Sequence, residues 1–149
     1  MMAGFDIRLQ RVIDAVPDAA FRHCVDADGR REWYAPDEGS RVVESETDLR
    51  VGGSYRTAVV SSTGDPMYTE TGIFEVVDPP HRIVYRGTMH LPDGSTVDTH
   101  VTVTFEERAG KTLLTVLEVG YPTEDLRDSF EQGWPDFLDA YERTVPAQE

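Results

Sequence analysis

Strand-like alternation puts a glutamate and an arginine among apolar neighbours in this chain. In "MYTETGIFEVV" the inward set is Tyr68, Glu70, Gly72 and Phe74, and in "FDIRLQRVIDA" Arg11 shares a face with Phe5, Ile7, Leu9 and Ile13. Glu118 joins them if "TLLTVLEVGY" turns Thr112, Leu114 and Val116 inward; pattern alone favours Leu113, Leu117 and Val119. A carboxylate in such surroundings is costly unless it is paired or protonated. It can orient a polar group of a ligand, or two carboxyls held at different pKa values can perform acid–base chemistry. It can also close an ion pair at the end of a sheet. The spacing leaves all three open.

Other reactive side chains form no stronger constellation. Pairing Leu91 with Val97 across "PDGS" sets His90 opposite Asp98, with His100 diagonal on the same outward face. A metal centre needs three or four converging ligands, so these read as solvated side chains and no metal is expected. Cys24 is the single cysteine, which excludes an intrachain disulfide. His23 precedes it on a helical segment and points about 100° away, so Cys24 is expected as a buried apolar side chain and not as a nucleophile. No nucleophile elbow, Walker loop, dinucleotide fingerprint or zinc-protease helix is present, and no cofactor is expected.

The elements that must position these residues follow from period and punctuation. "FDIRLQRVIDA" reads as a first strand, and "VPDAAFRHCV" and "DGRREWYAP" as two short helices. From Arg41 to Tyr121 six more strands alternate with the turn signals "GG", "TGDP", "DPP", "PDGS" and "RAGK". Glu75 and Arg82 flank "DPP" and are expected to pair across it. A helical segment from Thr123 ends the chain, with Phe130, Trp134, Phe137, Leu138 and Tyr141 on one face. Gly133 and Pro135 bracket its tryptophan. The expectation is a short helix to Gln132, a bend at Gly133, and a second helix to Arg143 with Pro135 in its first turn.

Composition narrows the partners. The 149 residues fit a single domain over 1–149, and a formal charge of −14 opposes both nucleic acid and anionic membrane surfaces. No apolar run is long enough to span a bilayer, and the start resembles no secretory signal, so the cytoplasm is expected.

The succession "FDIRLQRVIDAVPDAAFRHCVDADGRREWYAP", "DLRVGGSYR", "GIFEVVDPPHRIVY", "VTVTFEERAGKTLLTV" and "GWPDFLDAYE" resembles the family named for the activator of heat-shock protein 90 ATPase. That family lies within the START-like, Bet v 1-like (SRPBCC) superfamily. The resemblance implies an α+β helix-grip fold, with a curved seven-stranded antiparallel sheet gripping a long C-terminal helix and two short helices after strand 1. It also favours the parity that turns Glu118 inward. A small apolar or amphipathic ligand between sheet and helix is then expected, lined by Trp33, Tyr55, Met67, Glu70, Tyr85, Met89, Glu118, Trp134, Phe137 and Leu138. Arg11 or the glutamates would fix its orientation. Gly72 and Gly87 fit either a cavity or close packing. The alternatives are an enzyme of cyclase or hydrolase type using the cavity carboxylates, and a chaperone partner. Co-chaperone activity is not expected, because the activators carry a separate N-terminal chaperone-binding domain and this chain begins its first strand near Phe5. A homodimer is compatible with the sequence, though no apolar patch marks its interface.

Overall fold

Each alternating segment has one apolar face to bury, and the seven of them pair into one antiparallel sheet. In the computed structural model, which describes residues 4–146, the chain runs β1 (Phe5–Ile13), α1 (Pro17–Val25), α2 (Ala27–Trp33), β2 (Arg41–Thr47) and β3 (Ser54–Val60). It continues with β4 (Pro66–Asp78), β5 (Arg82–His90), β6 (Thr96–Arg108), β7 (Lys111–Tyr121) and α3 (Glu124–Thr144). The strand order is β1-β7-β6-β5-β4-β3-β2, so β2 to β7 form a meander and β1 completes the far edge against β7. The two short helices carry the chain from one sheet edge to the other. On the covered face α2 packs on β2 and α3, α1 on β6 and β7, and α3 on β1 and β7. This is the helix-grip fold. No described helix is long and apolar enough to cross a membrane.

The open parity of β7 resolves with Thr112, Leu114, Val116 and Glu118 buried. Register places Glu118 between Ile7 on β1 and Val101 on β6, both fully buried. Arg11 does face α3, but it is only half-buried. Its Nη1 donates to Asp139 Oδ1 at 2.7 Å and Glu142 Oε1 at 3.1 Å, both on α3.

Two expected pairings are corrected by register. Met89 and not Leu91 pairs with Val97, which brings Thr88 and not His90 opposite Asp98. Asp93 accepts hydrogen bonds from the backbone N–H and hydroxyl of Ser95, and Leu91 N–H donates to Ser95 O. The loop is thereby shorter than the pattern suggested. His90 instead meets Thr71, and His100 meets Glu75 at 2.7 Å. Among the described residues no three His, Cys, Asp or Glu side chains converge as metal ligands. A register shift between Phe74 and Val76 turns Glu75 toward Arg86 at 2.8 Å and away from Arg82.

The expected bend at Gly133 is absent, because α3 runs unbroken through Gly133 and Pro135. Thr123 caps it by accepting from Leu126 N–H at 3.1 Å, and Glu124 and Asp125 complement the dipole of its first turn. Pro135 cannot donate to the carbonyl of Glu131, and an interior proline costs about 3 kcal/mol. Burying one large apolar side chain contributes about 1.5–3 kcal/mol, and the stripe lies on both sides of the proline. Phe130 and Trp134 precede it; Leu138 and Tyr141, 6% and 2% exposed, follow. Packing therefore outweighs the proline.

Gly133 then serves no bend, and no atom lies within 4 Å of the place a Cβ would occupy. Gly133→Ala is expected to raise stability by about 0.5–1 kcal/mol in urea denaturation, because alanine loses less entropy in a helix. A loss of stability would mean that the helix needs glycine there.

Candidate functional site

Arg30, Trp33 and Tyr34 fall at i, i+3 and i+4, which places them on one face at the end of α2, with Arg30 and Tyr34 reaching Glu70 on β4. Arg30 is 5% exposed, and its Nη2 lies 3.3 Å from Glu70 Oε1. Its guanidinium sits 4.4 Å from the Tyr34 ring centre and 4.7 Å from that of Tyr55, close enough for cation–π attraction to both. The Tyr34 hydroxyl donates to Glu70 Oε1 and the Tyr55 hydroxyl to Glu70 Oε2, the latter at 2.9 Å. One buried carboxylate is thus held by three donors from two elements.

The two inward glycines serve that network. A Cβ on Gly72 would overlap the Tyr55 ring, and one on Gly87 would come 2.8 Å from Glu70 Oε2 and 3.0 Å from the Tyr55 hydroxyl. Of the two explanations left open by the sequence, close packing is the one that applies. The glycines let a tyrosine lie flat across the sheet.

Beyond Glu70 lies a cavity of about 60 Å³ between α2, the inner faces of β4 to β7, and α3. Its walls are the rings of Trp33, Tyr34, Tyr121, Phe130, Trp134 and Phe137, with Met89, Val97 and Thr99 between them. Glu118 and Glu70 supply its carboxyl groups. The Tyr121 hydroxyl and the Trp134 indole N–H both donate to Glu118 Oε1, at 2.7 and 2.9 Å. Burial pushes the Glu118 carboxyl above its ordinary pKa, against the pull of these two donors. A wider depression on the opposite face of the sheet carries Glu75, Arg86 and His100, which satisfy one another, and it is open to solvent.

Of the residues singled out from sequence, Trp33, Glu70, Met89, Glu118, Trp134 and Phe137 line the cavity. Tyr85 and Leu138 line a smaller void of about 20 Å³ that shares Trp33 and Trp134. Cys24 borders the same void, and burial pushes its thiol up to about 11. Tyr55 sits behind Glu70, and Met67 packs half-buried on the core. Arg11 lies outside the cavity, tied to α3. Sequence reasoning missed Arg30, Tyr34, Tyr121 and Phe130. The helical spacing of Arg30 with Trp33 and Tyr34 was the available signal for two of them.

Fold and cavity together define a helix-grip protein with a small, aromatic-walled interior. The chain matches the family described as "Activator of Hsp90 ATPase homolog 1-like protein" over residues 14–145, and it belongs to that family. A crystal structure of a Chromobacterium violaceum protein superposes with a TM-score of 0.79 at 25% identity, covering 97% of this chain and 99% of the other. An AHSA1-like protein from Aeromonas hydrophila, solved in solution, gives 0.73 at 23% identity over 93% and 90% of the two chains. A Nitrosomonas europaea protein gives 0.79 at 15% identity over 94% and 93%. No match is found among curated proteins.

Burial outweighs Arg30 at Glu70 and pushes its carboxyl up from 4.5 to about 7. The folded chain therefore keeps a proton there that the unfolded chain releases near 4.5, so this contribution to stability is full below that pH and is lost as pH rises toward about 7. Unfolding free energies measured from pH 4.5 to 7.5 should fall with pH, and Glu70→Gln should flatten part of that slope. An unchanged slope in the variant would mean that Glu70 is ionised throughout.

Proposed function

We propose that this chain binds a small apolar or amphipathic molecule between the sheet and α3. One observation carries the reading: free volume persists where six aromatic side chains converge, and two carboxylates stand among them. A core built for stability alone would close such a space, because packed interiors leave few voids. Ligand sites have this composition, mostly apolar walls with few polar groups to orient the occupant. At about 60 Å³ the space is far smaller than a typical site of roughly 300–1,000 Å³, so a larger ligand must displace some of the lining side chains. The site belongs to a single domain, and a lone buried cysteine with no disulfide suits the reducing cytoplasm. The enzyme reading is weaker, since both oxygens of Glu70 are already taken up by Arg30, Tyr34 and Tyr55.

Native mass spectrometry of freshly purified protein, set beside its denatured mass, is expected to show added mass that vanishes on denaturation. In ¹H–¹⁵N spectra, the neutral probe 2-phenylethanol should move the indole N–H resonance of Trp134 saturably. Thr99→Leu, which fills the space from the sheet side, should weaken that binding by about tenfold, the scale of one lost apolar contact. A bare mass together with no saturable shift would sink the proposal.

A further inference from the structure

The two cavity carboxylates are not equivalent. Glu70 has the guanidinium of Arg30 as its counter-ion, held against the rings of Tyr34 and Tyr55. Glu118 is 8% exposed and has rings about it but no cation. Its hydrogen-bond partners, Tyr121 and Trp134, are neutral and both use Oε1, so among the described residues no donor reaches Oε2. Its cross-strand neighbours are Ile7 and Val101. No lysine, arginine or histidine lines the cavity.

We infer that the cavity receives the ammonium group of an organic amine, with Glu118 as its counter-ion and the aromatic rings as its walls. The inference rests on the reading of this cavity as a ligand site and specifies the polar end of the ligand. An ammonium offers N–H donors to the unused oxygen and a positive charge to the carboxylate. The faces of Trp134, Tyr121, Phe130 and Phe137 carry negative quadrupole density, which attracts a cation further. The chain already uses this solution once, at Arg30. An alcohol would satisfy the oxygen but leave the charge unmatched, and an anion would face two carboxylates. The free volume of about 60 Å³ suits a headgroup more than a whole ligand. A net charge of −14 also raises the local concentration of cations around the protein.

Phenethylamine, 2-phenylethanol and phenylacetate share a ring and a two-carbon or shorter linker and differ at the polar end. At physiological ionic strength, which screens the surface field, the amine is expected to bind about tenfold more tightly than the alcohol, and phenylacetate not measurably. Glu118→Gln keeps the shape and removes the charge, so it should bring the amine to within about twofold of the alcohol. In the wild-type protein, the ¹³C titration midpoint of the Glu118 carboxyl should fall in saturating phenethylamine and stay in place in 2-phenylethanol. That measurement needs no variant to fold. Equal binding of amine and alcohol, an amine preference that survives Glu118→Gln, or an unmoved midpoint would overturn the ammonium assignment and leave the cavity reading standing. If neither probe binds, both fall together.

Discussion

A carboxylate buried beneath a curved sheet must be matched by donors, and at Glu70 the matching draws the first half of the fold into place. Arg30 and Tyr34 come from the end of α2, Tyr55 from β3, and Glu70 itself from β4. The tyrosine can cross the sheet only because Gly72 and Gly87 present no side chain beneath it. Such a pair is poor evidence of net stabilisation, since desolvation opposes most of the Coulombic gain. Its structural consequence is positional: α2, packed on β2, is also tied to β3 and β4 through side chains, and Trp33 faces α3. Trp33 then packs edge-on to Phe137 and Tyr141, with ring centres at 6.4 and 5.5 Å.

The other half is organised by α3. Arg11 joins the helix to the edge strand through Asp139 and Glu142, while Trp134 joins it to β7 through Glu118. These links lie on opposite sides of Pro135, and so does the apolar stripe. The helix persists across a residue that would end an isolated one because its tertiary contacts continue past the proline. Space remains where the two halves meet, walled by rings from both.

Much of this order was legible in the residues. Element sequence, the meander and the inward set of β4 followed from alternation and turn chemistry, because burial on one face enforces a period of two. Facing on β7 was not legible from pattern: Leu113 and Leu117 are as apolar as the residues opposite, and only the sheet's other partners decide which side is covered. The continuity of α3 was hidden for the same kind of reason, since local propensity at Gly133 and Pro135 points to a break and tertiary burial overrides it. Arg30 was missed because charge suggests exposure, whereas its matching carboxylate lies forty positions further along the chain. The hairpin register at "PDGS" failed on turn length, which the Asp93–Ser95 hydrogen bonds shorten.

The contrast between the two glutamates separates structure from function within one cavity. Glu70 is saturated: Arg30, Tyr34 and Tyr55 occupy its two oxygens, and its contacts span two elements besides its own strand. Removing it would leave the Arg30 guanidinium buried without its carboxyl partner. Glu118 is held by two neutral donors on a single oxygen, and each of those donors has packing contacts of its own. Tyr121 is anchored against Phe130 and the Ile7 cluster, and Trp134 by the packing of α3. An apolar side chain at position 118 would avoid the cost of dehydrating a carboxylate, but it would leave the Tyr121 hydroxyl and the Trp134 N–H without an acceptor. A neutral glutamine would serve those two donors equally, so the fold itself requires an acceptor at that place and not a charge. An occupant of the cavity, meeting the oxygen that the protein leaves free, supplies the reason for one.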